Sequence, residues 1–321
     1  MTSEKPLRTI WQISAGPASR SYVDVLLKYG VALVGPGDAG PWTPARDDGE
    51  FEGGFVRRFA SELAVGDVLV LRTGLATVAA IGLVAGDYQY ENAFDDVNGW
   101  DLQHMRRVRW SRLPAEHTFT RAAFGANPPR CSRVFNDEIV DFARRFVNSP
   151  PTYWQTASLP DLPAEEPALG NIPHHLQGIV AQAADLVPLL QDRQAFGEAA
   201  SEDELIAHFV VPFLRALGWP PERVAVQWRH IDVAVFRALP RVPENCHLVI
   251  EAKRLGAGVE GALEQAKGYV EALELPRNVV VTDGVRYRMY DAEHAFQPLA
   301  YANLARLKQP AADLFARMQR P

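Results

Sequence analysis

Apolar positions along the chain form two patterned regions separated by a stretch with no period. RTIWQIS at 8–14 reads as a first strand and VALVG at 31–35 as a second. Between them, SRSYVDVLLKYG places Tyr22, Val25, Leu26 and Tyr29 on one helical face and stops at Gly30. A long Gly/Pro/Asp loop containing Trp42 follows, and FVRRFASEL then predicts a short helix. The most apolar stretch, VLVLRTGLATVAAIGLVAG at 68–86, is broken by Arg72, Thr73 and Gly74. That break predicts two strands and a turn rather than a membrane span. DYQYENAF comes next, and HMRRVRWSRL sets Met105, Val108 and Trp110 against arginines. The order β-α-β, loop, α, β-hairpin, β predicts a small closed barrel with helices at its rim.

NDEIVDFARRFV at 136–147 predicts a helix capped by Asn136. The following NSPPTYWQTASLPDLPAEEPALGNIP is dense in proline and aperiodic, so the domains are drawn as 1–148, a linker 149–175, and 176–321. In the last of these, SEDELIAHFVVPFLRALGW opens with a capping box, Ser201 with Glu204. Its apolar stripe is Leu205, Phe209, Pro212, Phe213 and Leu217, and Gly218 closes it. RVAVQWRHIDVAVF and CHLVIEAKR follow as strands, GVEGALEQAKGYVEAL as a helix, NVVVTDG and VRYRMYD as a strand pair. The order α-β-β-β-α-β-β predicts a mixed sheet flanked by helices.

Composition narrows the function classes. The 321 residues are 47% hydrophobic and 22% charged, a globular profile with room for two domains. A net charge of -6 argues against a non-specific nucleic-acid coat, while a local basic surface remains compatible with phosphate binding. Cys131 and Cys246 are too few and too far apart for a disulfide framework or a zinc cluster. They suit a reducing cytosol, and MTSEKPLRTIW has no signal-peptide pattern, so a cytoplasmic location without membrane contact is expected.

HIDVAVF and HLVIEAKR carry the chemistry. If these strands are neighbours, Asp232 and Glu251 lie together, with Lys253 on the same face as Glu251. Two close carboxylates repel unless a hard cation lies between them, and oxygen ligands suit Mg²⁺, with Mn²⁺ an alternative. This pattern, Asp232 followed by Glu251-Ala252-Lys253, resembles the PD-(D/E)XK nuclease superfamily. The leading helix, the Gln265/Tyr269 pair in EQAKGYV and the strands VVVTDGVRYRMYD resemble the branch seen in type I restriction R-subunits. The resemblance covers residues 201–292; Ile231 precedes Asp232 where the family often has proline. It implies Asp232, Glu251 and the Ala252 carbonyl as metal ligands, Glu204 as an assisting acid, Lys253 at the attacking water, and Gln265 orienting the substrate or Lys253. Plainer readings stand beside these: Glu204 as a cap alone, Glu251 and Lys253 as an ion pair, Gln265 and Tyr269 as an exposed helix side.

Residues 8–112 resemble the PUA-like superfamily, within it the EVE and YTH branches, whose small barrels hold a modified base. The order RTIWQISAG, YGVALVGPGDAGPW, AVGDVLVLRTGLATVAAIGLVAGDYQY, HMRRVRW carries that resemblance. It implies a pocket at Ser14 and the Gly35–Trp42 loop, with Asp38 as a base-edge acceptor and Trp42 and Trp100 as walls. The cluster Arg106, Arg107, Arg109, Arg112 reads either as a phosphate contact or as a solvated strand face. Together these imply an α+β reader joined to an α/β nuclease: a modification-dependent endonuclease acting on double-stranded DNA, as a homodimer or in two successive cuts. A non-catalytic binder of modified nucleic acid and an RNA-directed nuclease are the alternatives.

Overall fold

The computed structural model describes the chain except residues 1–7, 17–20, 36, 38–39, 47–53, 98–99, 121, 153, 155–156, 192–199, 256–258, 260, 276–277 and 321. Two compact units divide near residue 164, and Trp100 groups with the second.

In the first unit, strand β1 (Ile10–Ser14) leads to helix α1 (Val23–Tyr29) and strand β2 (Val31–Val34). Gly30 ends α1 in the left-handed region at φ 59°, so the expected stop signal operates. The short helix α2 (Phe55–Arg57) runs into a π-turn at Arg58–Glu62. Strands β3 (Val68–Arg72), β4 (Thr77–Tyr90), β5 (His104–Thr118) and β6 (Cys131–Arg133) complete a six-stranded sheet ordered β2-β5-β4-β3-β1-β6. Register shifts at Val78/Ala80 and Val84/Tyr88 interrupt the long β4–β5 ladder, the bulges that bend such strands.

The closed barrel expected from the strand order is corrected to a sheet with two edges among the described residues, because β2 and β6 each pair on one side only. Strand β6 was missed; three residues are too short to show a period. Helix α3 (Asp137–Asn148) packs Ile139 and Ala143 against Ile10, Val68 and Val70, with the Asn136 side chain accepting from the Glu138 and Ile139 N–H groups.

The second unit begins with α4 (His174–Gln191), then a leading helix in three parts: α5 (Glu202–Leu205), a π-segment (Ile206–Val210) and α6 (Val211–Ala216). Leu205, Phe209, Phe213 and Leu217 from the predicted stripe are buried in one core cluster. The sheet is mixed, ordered β12-β11-β10-β9-β8-β7, and comprises β7 (Val224–Trp228), β8 (Ile231–Phe236), β9 (Cys246–Ala252), β10 (Asn278–Thr282), β11 (Arg286–Asp291) and β12 (Gln297–Asn303). Only β9 and β10 run parallel. Helix α7 (Gly261–Ala272) lies between them in sequence, as a parallel crossover requires. Leu205, Phe209, Phe213 and α8 (Ala311–Met318) share a core with Val233, Leu248 and Ile250, whereas Ala262 and Ala266 of α7 pack with Ala234, Val249 and Val281. The sheet therefore has an apolar layer on each face.

Residues 149–175 belong partly to each unit. Trp154 is 2% exposed in the first unit's core, and in the second the Leu169 N–H donates to the Leu307 carbonyl at 3.1 Å.

Candidate functional site

Asp232 and Glu251 meet because β8 and β9 are antiparallel neighbours. Val233 faces Ile250 and Ala234 faces Val249, a register that sets Asp232 opposite Glu251. The β7–β8 hairpin turns on Arg229 and His230, at φ 51° and 71°, between the paired Trp228 and Ile231. A two-residue turn with both φ positive is the tight hairpin form that matches strand twist. His230 is thus used by the turn, and Asp232 follows it by two residues.

Each oxygen of Asp232 has a partner. Oδ2 accepts the Ala252 N–H at 2.8 Å, and Oδ1 accepts Nε2 of Gln227 at 3.1 Å. Glu251 is fully buried. Its Oε1 lies 3.0 Å from Nζ of Lys253, while its buried Oε2 has no hydrogen-bond partner. Burial, and then the charge of Asp232, push the Glu251 carboxyl up to about 7, against the opposing pull of Lys253. Burial works to lower the Lys253 pKa. The hydrogen bond and charge of Glu251, with Glu202 and Asp232, outweigh it and leave the pKa raised. Lys253 is therefore a cation and a donor at neutral pH, not a proton acceptor.

The leading helix contributes differently from its sequence pattern. Glu204 closes the capping box: its Oε2 takes the Ser201 N–H at 2.7 Å and the Ser201 hydroxyl at 3.0 Å. These bonds hold its pKa below the usual carboxylate range. The neighbouring Glu202 is the helix acid whose charge acts on both Glu251 and Lys253. Gln265 donates to Oη of Tyr269 at 2.9 Å, one turn along α7. Among the described residues no hydrogen bond joins Gln265 to Lys253 or Glu251. Ala252 is buried between the two charged residues.

The donor set fits a hard cation in one respect. An unpartnered, buried carboxylate oxygen beside a second carboxylate is a polar atom short of a cation or proton. Among the described residues no group of three or more His, Cys, Asp or Glu side chains gathers. Any such ion would have two carboxylates, within the range that Mg²⁺ uses when it keeps several waters.

In the first unit the expected pocket residues separate. Asp38 lies outside the described residues, and Trp100 groups with the second unit. Ser14 turns onto its own loop, its hydroxyl donating to the Gly16 carbonyl at 3.0 Å. Trp42 joins an aromatic group: its backbone N–H donates to Oη of Tyr88 at 2.8 Å, and the two rings pack edge to face at 6.5 Å. Tyr88 stacks on His104 at 5.9 Å, and Tyr90 meets His104 edge-on at 5.4 Å. Next to His104, Gln103 is fully buried, with neither Nε2 nor Oε1 hydrogen-bonded. Gly37 covers it so closely that a Cβ there would stand 1.8 Å from Oε1 of Gln103.

The arginine cluster is no open basic surface. Arg106 is buried, donating to the carbonyls of Phe59, Ala60 and Gly86. Arg107 and Arg109 hold the carbonyls of Pro160 and Ala157, and Arg112 pairs with Asp24 at 3.1 Å.

Gln227, Glu202, Tyr88, Tyr90, Gln103 and His104 were missed in the sequence. Tyr88 and Tyr90 carried a signal, two aromatics two apart in DYQY. Gln227 carried none, because the turn that mirrors it onto Asp232 lacks the usual Asn or Gly.

A family model described as a domain of unknown function, DUF8426, matches residues 11–127. No curated protein matches. Among solved structures, a fragment described as a candidate HsdR subunit of a type I restriction enzyme from Vibrio vulnificus YJ016 aligns at 22% identity and TM-score 0.25. That alignment covers 37% of this chain and only 25% of the fragment. Protein Atu2648 from Agrobacterium tumefaciens aligns at 18% identity and TM-score 0.24, over 49% of this chain and 99% of its own. No described helix is long and apolar enough to cross a membrane.

Proposed function

We propose that the chain is a metal-dependent endonuclease whose first unit selects DNA carrying a modified base. The observation that carries this reading is the Glu251 carboxylate, buried with one oxygen unpartnered between Asp232 and Lys253. Asp232, Glu251 and the Ala252 carbonyl would hold Mg²⁺. When bound, such an ion supplies charge to a phosphate oxygen and lowers the pKa of a water. Gln227 and the Ala252 N–H fix the Asp232 carboxylate in place. Lys253, protonated, donates to the attacking water or to the phosphate oxygen that gains charge. Gln265 and Tyr269 stand on the following helix as candidates to touch the substrate backbone.

In the first unit, the half-buried rings of Trp42, Tyr88 and Tyr90, backed by the buried His104, offer stacking surface. The amide of Gln103 offers a donor and an acceptor side by side, the complement of a base edge. Because one site cuts one strand, a double-strand break needs a second copy or a second event.

The test is cleavage of phage DNAs carrying different modified bases, beside unmodified DNA and RNA, with Mg²⁺ or Mn²⁺ and with Lys253→Ala. Metal-dependent cutting of one modified DNA, lost in the variant, is expected. No cutting of any substrate ends the nuclease reading. Binding to modified DNA without cutting favours the non-catalytic binder, and cutting of RNA alone the RNA-directed enzyme.

A further inference from the structure

Arg229 and His230, which make the β7–β8 turn, are both exposed. Their φ values of 51° and 71° suit Asn and Gly, the residues that such a turn usually carries. Neither Arg nor His favours a left-handed backbone, so the turn is less stable than Asn-Gly would make it. Strain of this kind points to side chains with a task. Arg229 is also held in place. Its guanidinium lies 4.9 Å from the centre of the Trp228 ring. That ring meets Phe236 edge to face at 5.1 Å and packs with Ala234 and Val249 on the α7 side of the sheet. Asp232 and Glu251 belong to the same side, Asp232 two residues before Ala234 and Glu251 two residues after Val249. Trp228 therefore carries Arg229 to the rim of the face that bears the carboxylates. Among the described residues the guanidinium has no carboxylate partner.

The site that Arg229 borders is acidic. The charges of Asp232 and Glu202 act on Glu251, and Lys253 is the cation among them. A phosphodiester strand brought to these carboxylates is repelled unless cations stand at the rim. We propose that Arg229 grips a backbone phosphate of the DNA beside the scissile one, its guanidinium fixed beforehand by the Trp228 ring. This rests on the nuclease reading. A planar guanidinium already in place matches phosphate oxygens and loses little freedom on contact. The contact sets how the strand lies over Glu251 and takes no part in breaking the bond.

The test is the salt dependence of binding of the full chain to a short unmodified duplex without metal, followed by cleavage of the modified phage DNA that the wild type cuts. Each phosphate contact contributes about 0.9 to the steepness with which log affinity falls against log salt. Arg229→Asn should lower that steepness by about one contact's worth. Arg229→Lys, which keeps the charge, should retain it. Arg237→Gln removes the same charge from an exposed position just past the far end of β8 and should also retain it. Asparagine suits the turn, so Arg229→Asn should melt no lower than the wild type. In cleavage, Arg229→Asn should raise KM about fivefold, with kcat and the Mg²⁺ concentration for half-maximal rate unchanged. A raised Mg²⁺ requirement overturns the proposal, because the turn would then act through Asp232. So does an unchanged salt dependence in Arg229→Asn, an equal loss in Arg237→Gln, or a wild type that binds no DNA, whether or not cutting is seen. A lowered salt dependence in Arg229→Asn alone, with no cutting by the wild type, upholds the phosphate contact and ends the nuclease reading instead.

Discussion

Gln227 stands across the β7–β8 hairpin from Asp232 and donates its amide N–H to Oδ1 at 3.1 Å. Its backbone holds φ 53°, a left-handed conformation that a non-glycine residue rarely adopts in a strand. Such strain persists where surrounding contacts fix it, and here it accompanies the bond that aims a candidate metal ligand. Partners of this kind commonly carry 10–100-fold of metal affinity or activity. Gln227→Ala should therefore raise the Mg²⁺ concentration for half-maximal cleavage by about tenfold, with kcat at saturating Mg²⁺ changed less. A Mg²⁺ titration of wild type and variant checks it; equal half-maximal concentrations would leave Gln227 with a purely local role.

The Glu251 carboxyl sets a pH dependence with a definite sign. Its pKa in the folded chain, about 7, stands above its ordinary value of 4.5. The folded state thus holds a proton that the unfolded state releases, so this group's stability is complete below the ordinary value and lost as pH rises through about 7. Metal-free protein should melt at a lower temperature at pH 8 than at pH 6, by more than Glu251→Gln does. Under the proposed metal role of Glu251, Mg²⁺ takes the ionised form and should restore much of the loss at pH 8 while changing little at pH 6. Parallel pH slopes for wild type and Glu251→Gln would refute the account.

Glu202 and Glu204 are two residues apart on one helix and do different work. Ser201→Ala removes the hydroxyl that caps Glu204 and should cost about 1 kcal/mol of stability with cleavage retained. Glu202→Gln should leave the melting temperature nearly unchanged. It removes a charge that raises the Glu251 pKa, so its cleavage-versus-pH profile should shift to lower pH. Thermal melts and a pH series on the two variants separate the roles. A shift in the Ser201→Ala profile with none in Glu202→Gln would reverse the assignment.

What was legible in the sequence followed from periodicity. Alternation in HIDVAVF and HLVIEAKR placed Asp232 and Glu251 on one face, and the structure pairs those strands. The stripe from Leu205 to Leu217 is in the core, apart from Pro212, which is partly exposed. Cross-strand and cross-loop partnerships were not legible, because they depend on register and turn geometry rather than on local pattern. Gln227 is one such case. The family resemblance assigns Glu204 to the site, with the capping box as its plainer reading, and its side chain does close that box; Glu202, whose charge acts on Glu251, has no signature in the sequence. The arginines near Arg106 looked like a basic face, yet backbone carbonyls of residues 59–60 and 157–160 claim three of them.

Gln103 offers the sharpest test of the proposed base-reading region. A buried amide with neither end bonded costs the protein stability that an apolar side chain of similar volume does not. If the amide is held in reserve for a base edge, Gln103→Leu should raise the melting temperature or leave it unchanged. The same change should weaken binding to the preferred modified DNA at least tenfold, while affinity for unmodified DNA stays as it was. Gly37→Ala serves as the steric partner experiment: a Cβ 1.8 Å from Oε1 forces the loop or the amide to move, so both stability and modified-DNA binding should fall. A Gln103→Leu protein that is less stable than wild type and still discriminates modified DNA would place the base-edge contact elsewhere and make the amide a structural element of the sheet.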